Sequence, residues 1–99
     1  MEVIKELQGD VLNVKLVGRL DTTTAPALEA ELSNELSKAK SLVFDFSCLD
    51  YVSSAGLRVL LACQKTMNKQ GSMTIKNVKD EIYEVFEMTG FLDILNIER

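Results

Sequence analysis

The passage from residue 42 to residue 70 constrains the fold of this chain more than any other segment. It opens with Leu42–Phe46, a short and nearly continuous apolar run that is typical of a central strand buried on both faces. After a predicted loop over Ser47–Val52 and two serines, an apolar pattern over about Ala55–Gln70 predicts a heavily buried helix. A strand joined to a helix and then to another strand makes a right-handed crossover and favours parallel strands.

Alternating apolar residues mark further strands. The run Val11–Val17 alternates as a half-buried strand does, and Val3–Leu7 precedes it across the turn Gly9-Asp10, so the two are predicted to form a hairpin. Met73–Lys76 alternates in the same way. The segment Phe91–Ile97 is expected to return to the sheet through one helical turn and a short last strand.

Two further helices are indicated by spacing and by their ends. Leucines recur at helical spacing after a cluster of capping residues, Asp21-Thr22-Thr23-Thr24, with Pro26 in the first turn. A third helix is predicted over about Lys79–Met88. Gly71 is expected to end the helix over about Ala55–Gln70 in the left-handed conformation. Asn77 is expected to be the N-cap of the helix over about Lys79–Met88, and Gly90 to end it.

The resulting order, β-β-α-β-α-β-α-β, predicts a small single-domain α/β fold over residues 1–99. Its sheet is expected to be mixed and mostly parallel, with about three to four helices packed mainly on one side. A chain of 99 residues is long enough for one core and too short for two. Because parallel sheets usually have helices on both faces, the other side is expected to be lightly covered or available to a partner.

Composition excludes several classes of function. The chain has no histidine, which removes Ser-His-Asp and Cys-His catalysis and imidazole metal sites. Its net charge is −4 and its basic residues do not cluster, so no nucleic-acid footprint is visible. The carboxylates Asp21, Asp45 and Asp50 have no spacing that specifies a metal site or an acid–base pair, so an enzyme is not expected.

The apolar runs, the N-terminal residues and the cysteines predict the cellular location of the protein. The longest apolar run, Val59–Cys63, is far shorter than the roughly 20 residues of a membrane span. The acidic start lacks the layout of a secretory signal, and we therefore expect a cytoplasmic protein without membrane insertion. Cys48 and Cys63 are interpreted as buried or half-buried thiols in a reducing compartment.

The serine pair Ser53-Ser54 is the main candidate for a functional site. Free amides at a helix start attract negative charge, so a hydroxyl there can be a cap, an anion ligand or a phosphorylation site. Capping alone would account for both serines, and packing space alone for Gly56. Asp21 could likewise do no more than brace the threonine turn. Nucleotide binding at this helix start is conceivable from the same amides.

A family resemblance bears on these alternatives. One stretch of the sequence resembles a STAS domain, and it runs from Phe44-Asp45-Phe46 through Asp50–Leu61. Two shorter segments support the resemblance, namely Gly18-Arg19-Leu20-Asp21 and Phe86–Phe91. More narrowly, it resembles the stand-alone bacterial anti-sigma factor antagonist, and the likeness covers essentially all 99 residues in element order. It implies a STAS-like domain over residues 1–99.

The resemblance assigns roles to particular residues. The family pattern is Asp-Ser-Ser/Thr-Gly-Leu, in which the hydroxyl after the Asp accepts the phosphate. Here Ser54 matches the acceptor, while Ser53 stands where the Asp usually lies and is a less expected second acceptor. Asp21 matches a family acid in the loop beside the site. The partner-binding residues implied in this way are Asp21, Thr22, Ser53, Ser54, Ala55, Gly56 and Arg58.

The resemblance also implies partner switching in transcription regulation. The unmodified protein would bind an anti-sigma factor that is also a Ser/Thr kinase, and so free a sigma factor. Phosphorylation on Ser54 would release the protein, and a Ser/Thr phosphatase would restore it. ATP and magnesium would be bound by the kinase, so no cofactor or metal is expected on this chain. An alternative is a non-phosphorylated STAS scaffold subunit, for example of a lipid-transport complex.

Arg58 has two interpretations. It lies four residues after Ser54, and helical side chains lean toward the N-terminus, so its guanidinium could reach a phosphate on Ser54. The alternative is an arginine that faces solvent or a partner.

Overall fold

The computed structural model describes every residue from Met1 to Arg99. It forms one small α/β fold, with the element order predicted from the sequence except at the C-terminal end. The elements in chain order are β1 (Glu2–Gln8), β2 (Val11–Leu20), α1 (Ala25–Leu36), β3 (Ser41–Val52), α2 (Ser54–Gln70), β4 (Ser72–Lys76), α3 (Asp80–Thr89) and a 3-10 turn (Phe91–Asp93). None of the helices combines the length and the apolar character that crossing a membrane requires.

The sheet has the order β1-β2-β3-β4 and is mixed, as predicted. β1 and β2 form the expected antiparallel hairpin, and the turn between them uses Gly9 at a φ of 63°. β2, β3 and β4 are mutually parallel, because α1 and α2 carry the chain back across the sheet between them. This arrangement brings the carboxyl ends of β2, β3 and β4 to one edge.

The predicted last strand is corrected to a single bridge. Ile97 pairs in parallel with Ile75 and extends no further. Two backbone hydrogen bonds hold the segment there: the Ile75 amide donates to the Asn96 carbonyl at 2.9 Å, and the Glu98 amide donates to the Ile75 carbonyl at 2.7 Å. The helical turn predicted before this strand is confirmed as the 3-10 turn at Phe91–Asp93.

The predicted loop over Ser47–Val52 is also wrong, because β3 continues to Val52. β2 extends beside it as far as Leu20, so the extra residues find backbone partners. The register shifts opposite Lys15 to Val17 and opposite Gly18 to Arg19, and at each shift β3 carries one extra residue, as a bulged strand does. The length of β3 therefore depends on its pairing with β2, and the residues of β3 alone do not predict it.

The core lies between the sheet and the helices, on one face of the sheet. In β3 the core-facing Leu42, Phe44 and Phe46 are fully buried, whereas the residues between them are half-buried. The expectation that β3 is buried on both faces is therefore wrong, and the expected one-sided packing of the helices is confirmed. Phe86 of α3 stacks on Phe46 with ring centroids 6.4 Å apart, and burying one such side chain stabilises the fold by about 1.5–3 kcal/mol.

Both expected glycine stops end their helices, whereas Asn77 is not the N-cap of α3. Gly90 does end α3 in the left-handed region, with a φ of 78°. Gly71 ends α2 in an extended conformation instead, and its hydrogen is required because a Cβ there would collide with the Lys40 carbonyl oxygen. Asn77, with a φ of 59°, lies before the helix and donates to the Asp45 carboxylate at 3.1 Å, so α3 starts at Asp80 with Lys79 at the N-cap position.

The two cysteines differ in environment. Cys63 is buried in the core, and this burial raises the pKa of its thiol to about 11. Cys48 is exposed, contrary to the prediction, because it lies on the sheet side away from the core. No disulfide links them.

Candidate functional site

The predicted site residues meet at the edge where β2 and β3 end. β2 runs into the loop before α1, and β3 runs directly into α2. The Ser53 amide donates a hydrogen bond to the Leu20 carbonyl at 2.9 Å, which ties the two chain segments together. Ligands of open parallel sheets characteristically bind outside the carboxyl ends of the strands.

Ser53 is the cap of α2. It has extended backbone angles, and its side-chain oxygen accepts a hydrogen bond from the Gly56 amide at 3.3 Å. Its carbonyl oxygen accepts from the Leu57 amide at 2.9 Å, which begins the helical ladder. Because the residue is half-buried and its hydroxyl oxygen is engaged, its local role is structural.

Ser54 differs from its neighbour in its position, its exposure and the hydrogen bonding of its hydroxyl. It is the first residue of α2 and it is exposed. Its hydroxyl takes part in none of the side-chain hydrogen bonds at this helix start, where Ser53 supplies the cap. The structure therefore presents a free alcohol at the electropositive end of a 17-residue helix.

Gly56 packs the start of α2 against the sheet, and its expected contact with a partner stays a prediction. It is buried, and a Cβ built on it would lie 2.7 Å from Leu20 Cγ and 3.1 Å from the Leu20 carbonyl oxygen. The glycine lets the first turn of α2 pack directly on the end of β2. This contact positions the start of α2, where Ser54 lies, against the end of β2.

Asp21 organises the start of α1. Its Oδ1 accepts hydrogen bonds from the Thr23 amide at 3.0 Å and the Thr24 amide at 3.1 Å. In return, the Asp21 amide donates to Thr24 Oγ1 at 2.9 Å. The Thr24 amide, followed by the other threonine donors and Arg19, lowers the pKa of the Asp21 carboxyl below its ordinary value. Asp21 thus braces the threonine turn, as one of its two interpretations proposed, and its contact with a partner stays a prediction.

A groove between α1 and α2 opens beside Ser54. It encloses about 420 Å³. Among the predicted partner contacts it includes Thr22, Ala55 and Arg58, and it is completed by Ala25, Pro26, Glu29 and Val59. Arg58 is exposed and belongs to none of the ion pairs of the chain. The structure thus places an unpaired cation one helical turn from the Ser54 hydroxyl.

The three carboxylates considered as a catalytic set are separated. Asp21 braces α1, Asp45 accepts from the Ser47 amide and from Asn77, and Asp50 pairs with Lys79 at 2.6 Å. That hydrogen bond raises the pKa of the Lys79 ammonium. No group of acidic or sulfur side chains is arranged to hold a metal ion.

Sequence reasoning missed two contacts at this edge. One is the Asp50–Lys79 pair, and the other is a stack in which the Arg19 guanidinium lies over the Tyr51 ring, 4.2 Å from its centroid. Arg19 and Tyr51 are register partners in the parallel pair β2/β3. Their separation of 32 positions carries no local signal, and only the register of the two strands could have revealed the contact.

Comparison with known proteins now identifies the class. The STAS domain family model matches residues 2–99. The chain therefore belongs to the STAS domain family, as its sequence resemblance indicated.

The relatives are regulators of one kind by name. The chain is 40% identical over 84 residues to BtrV of Bordetella bronchiseptica, provisionally named an anti-sigma factor antagonist, with 83% of this chain and 72% of the relative covered. The unphosphorylated anti-sigma factor antagonist SpoIIAA has the same fold, with a TM-score of 0.79, 16% identity and 99% and 87% of the two chains covered. The phosphorylated form of SpoIIAA from Bacillus superposes with a TM-score of 0.77, 17% identity and 97% and 90% coverage.

Proposed function

We propose that this protein is an anti-sigma factor antagonist that a Ser/Thr kinase switches off by phosphorylating Ser54. The observation that carries the proposal is the difference between the two serines: Ser53 has its oxygen engaged in the cap, whereas Ser54 presents an exposed hydroxyl. Membership of the STAS family and the names of the sequence relatives support the same function. In this role the protein is a substrate and a ligand, and it is not itself an enzyme.

The fold can tolerate a phosphate at Ser54. Phosphorylation adds about −1.5 to −2 charges. At the first position of α2 this charge meets unpaired backbone amides, which favour an anion by about 0.3–1 kcal/mol at an exposed helix start. The likeness of this chain to both forms of SpoIIAA, with TM-scores of 0.79 and 0.77, supports a fold that persists in either state.

The switch would act at the interface with the anti-sigma factor. The partner would fit its surface to the Ser54 hydroxyl and to the neighbouring Thr22, Ala55 and Arg58, while Asp21 positions the loop beside them. A phosphate there brings bulk and an anion that must lose water on docking. A penalty of about 4 kcal/mol would weaken binding about a thousandfold, and a few poorly paired contacts to a desolvated anion reach that size.

The kinase would contribute ATP and magnesium, and a separate Ser/Thr phosphatase would restore the hydroxyl. The γ-phosphoryl group would pass from ATP to Ser54 Oγ, the hydroxyl proton would leave to the kinase's base or to water, and ADP would remain on the kinase. This chain would supply the acceptor alcohol on a rigid helix start. The reaction would need no cofactor on this chain.

The test is phosphorylation by the candidate anti-sigma factor kinase encoded nearest to this protein's gene. Intact-mass and peptide mapping should show one added phosphate, located on Ser54. Ser54→Ala should receive none, while the matched control Ser53→Ala should still be phosphorylated because it keeps the acceptor. A phosphate mapped to Ser53 or to the threonine turn would refute the assignment.

Binding provides the second half of the test. Calorimetry should show that the phosphorylated protein binds the kinase about a thousandfold more weakly than the unmodified protein. Circular dichroism of the two forms should be the same. A chain that binds a partner but never gains a phosphate would instead be a scaffold subunit, and a phosphorylated chain that loses structure before affinity would rule out an interface mechanism.

Arg58 is proposed to contact the phosphate on Ser54. A nearby guanidinium favours the dianion, so the second pKa of the phosphoserine should be lower in the wild type than in Arg58→Ala. Phosphorus NMR titration measures this difference, and Arg58→Lys should recover part of it. Equal pKa values in the wild type and Arg58→Ala would leave Arg58 as a solvent-facing or partner-facing residue.

A further inference from the structure

Arg19 and Tyr51 form an exposed platform next to the proposed acceptor. The Arg19 guanidinium lies 4.2 Å from the centroid of the Tyr51 ring. The ring belongs to a residue that is 41% exposed, and the Arg19 side chain is 61% exposed. Stacking on an aromatic face holds a guanidinium in one orientation while leaving its N–H groups outward.

The donors of Arg19 are not used within the chain. Its closest acid is Asp21, but Arg19 Nε and Asp21 Oδ2 are 3.9 Å apart, which is too long for a hydrogen bond. The Asp21 carboxylate is oriented by the backbone amides of Thr23 and Thr24 at the start of α1. Arg19 is therefore a preoriented cation whose hydrogen-bonding capacity faces solvent.

A second stack in the molecule shows what a self-contained arrangement looks like. Arg99 lies over the Tyr83 ring at 3.9 Å, and its Nη2 donates a hydrogen bond to Asp80 Oδ1 at 3.1 Å. Both groups consist of an arginine, a tyrosine and an aspartate. In that group the acid is hydrogen-bonded to the arginine, whereas Asp21 Oδ2 only lies 3.9 Å from Arg19 Nε while its Oδ1 accepts from the amides of Thr23 and Thr24. The two groups form a natural matched pair.

The platform is joined to the acceptor through the backbone. Leu20, next to Arg19, accepts the hydrogen bond from the Ser53 amide at 2.9 Å. Tyr51 lies three positions before Ser54 on the same run from β3 into α2. Arg19 and Tyr51 point away from the core, since their neighbours Leu20 and Val52 are buried. The platform and Ser54 therefore lie at the same edge of the sheet, where β2 and β3 end.

We propose that Arg19, held over Tyr51, is a docking cation that binds a carboxylate of the anti-sigma factor partner. The inference rests on the function proposed above and adds the chemistry of the partner's contact. A planar guanidinium matches a carboxylate with two parallel hydrogen bonds, and preorientation reduces the entropy lost on binding. The chain's net charge of −4 makes a polyanion such as nucleic acid an unsuitable occupant and leaves a single acidic side chain as the fitting one.

Calorimetry with the same candidate kinase, in the unphosphorylated state, tests the platform. Arg19→Ala should bind at least about tenfold more weakly than the wild type, because arginine anchors with aromatic neighbours are frequent binding hot spots. Arg19→Lys should recover part of the affinity, since lysine keeps the positive charge but cannot form two parallel hydrogen bonds to a carboxylate. Tyr51→Phe should bind like the wild type, whereas Tyr51→Ala should lose affinity.

The matched control is Arg99→Ala, which removes the self-contained stack and should leave the affinity unchanged. Melting temperatures establish that each variant is folded. Added salt should weaken the wild type more than Arg19→Ala, because the variant lacks the ion pair that salt screens. Equal affinity of Arg19→Ala and wild type, or an equal loss in Arg99→Ala, would overturn the docking role.

The same series separates this inference from the proposed function. If the wild type is bound and phosphorylated by the kinase and Arg19→Ala behaves identically, only the docking role fails. If the wild type is neither bound nor phosphorylated, the proposed function fails and the docking role fails with it. If the wild type is bound and phosphorylated and Arg19→Ala loses affinity while Arg99→Ala does not, the proposed function and the docking role are both supported.

Discussion

The starts of α1 and α2 follow parallel strands at the same edge of the sheet, yet they are built differently. The start of α1 is closed by reciprocal bonds between Asp21 and Thr24, which leave that carboxylate committed to the backbone. The start of α2 has one side-chain cap, from Ser53 to the Gly56 amide at 3.3 Å, and an exposed hydroxyl beyond it. One helix start is completed by its own residues, and the other leaves a reactive group for a partner.

The difference shows how a fold can hold a modifiable residue without depending on it. Stability at α2 comes from Ser53 and from the packing of Gly56 on Leu20, not from the Ser54 side chain. A charge added to Ser54 therefore changes the surface while the supports below it remain. The following substitutions test this division, beginning with the largest expected effect.

Gly56→Ala should lower the free energy of unfolding more than the other substitutions. Its new Cβ would lie 2.7 Å from Leu20 Cγ, and Leu20 is fully buried. We expect a net loss of about 1–2 kcal/mol of unfolding free energy, because an overpacking cost of about 1–3 kcal/mol outweighs a helix-propensity gain of up to about 1 kcal/mol. Urea denaturation measures it.

The double variant Leu20→Ala with Gly56→Ala identifies the cause of that loss. If the close contact is responsible, the added methyl should cost less in the Leu20→Ala background, so the two effects should not add. Additive losses would show that the helix start at Gly56 does not depend on Leu20.

Asp21→Ala should have the next largest effect, because it removes the acceptor of the Thr23 and Thr24 amides. We expect the melting temperature to fall by several degrees. Asp21→Asn keeps an oxygen acceptor and should lie between the wild type and Asp21→Ala. An unchanged melting temperature for Asp21→Ala would mean that α1 closes without this residue.

The charge of Asp21 adds a pH dependence with a definite sign. Its pKa is lowered in the folded state from 3.8, so the folded protein binds fewer protons than the unfolded chain near that pH. The stabilisation is present above the unfolded pKa and is lost as the pH falls through the folded pKa. The difference in melting temperature between the wild type and Asp21→Asn should therefore shrink below pH 3.8. A difference that grows on acidification would contradict the lowered pKa.

The adjacent serines give the smallest and sharpest contrast. Ser53→Ala should lower the unfolding free energy by about 1 kcal/mol through loss of the cap. Ser54→Ala should stay within about 0.5 kcal/mol of the wild type, as surface substitutions usually do. Chemical denaturation of both variants in parallel measures the contrast, and a larger loss for Ser54→Ala would reverse the roles assigned to the two hydroxyls.

Local sequence patterns predicted the elements whose causes are local. The alternation in β2, the leucine spacing of α1 and the left-handed Gly90 all follow from properties of neighbouring residues. The conformation of Gly71 and the role of Asn77 differ from the prediction because both depend on distant residues. Gly71 is required by the approach of the Lys40 backbone, and Asn77 is held by Asp45, both more than 30 positions away.

The sequence by itself determined the order of strands and helices as far as α3, the packing of the helices mainly on one side and the serine pair at a helix start, because apolar periodicity and capping act over a few residues. Only the tertiary structure decided that β3 extends to Val52, that Ser53 is engaged while Ser54 is free, and that Arg19 stacks on Tyr51. Those outcomes depend on the register of parallel strands and on packing between distant segments, which single-sequence patterns do not encode.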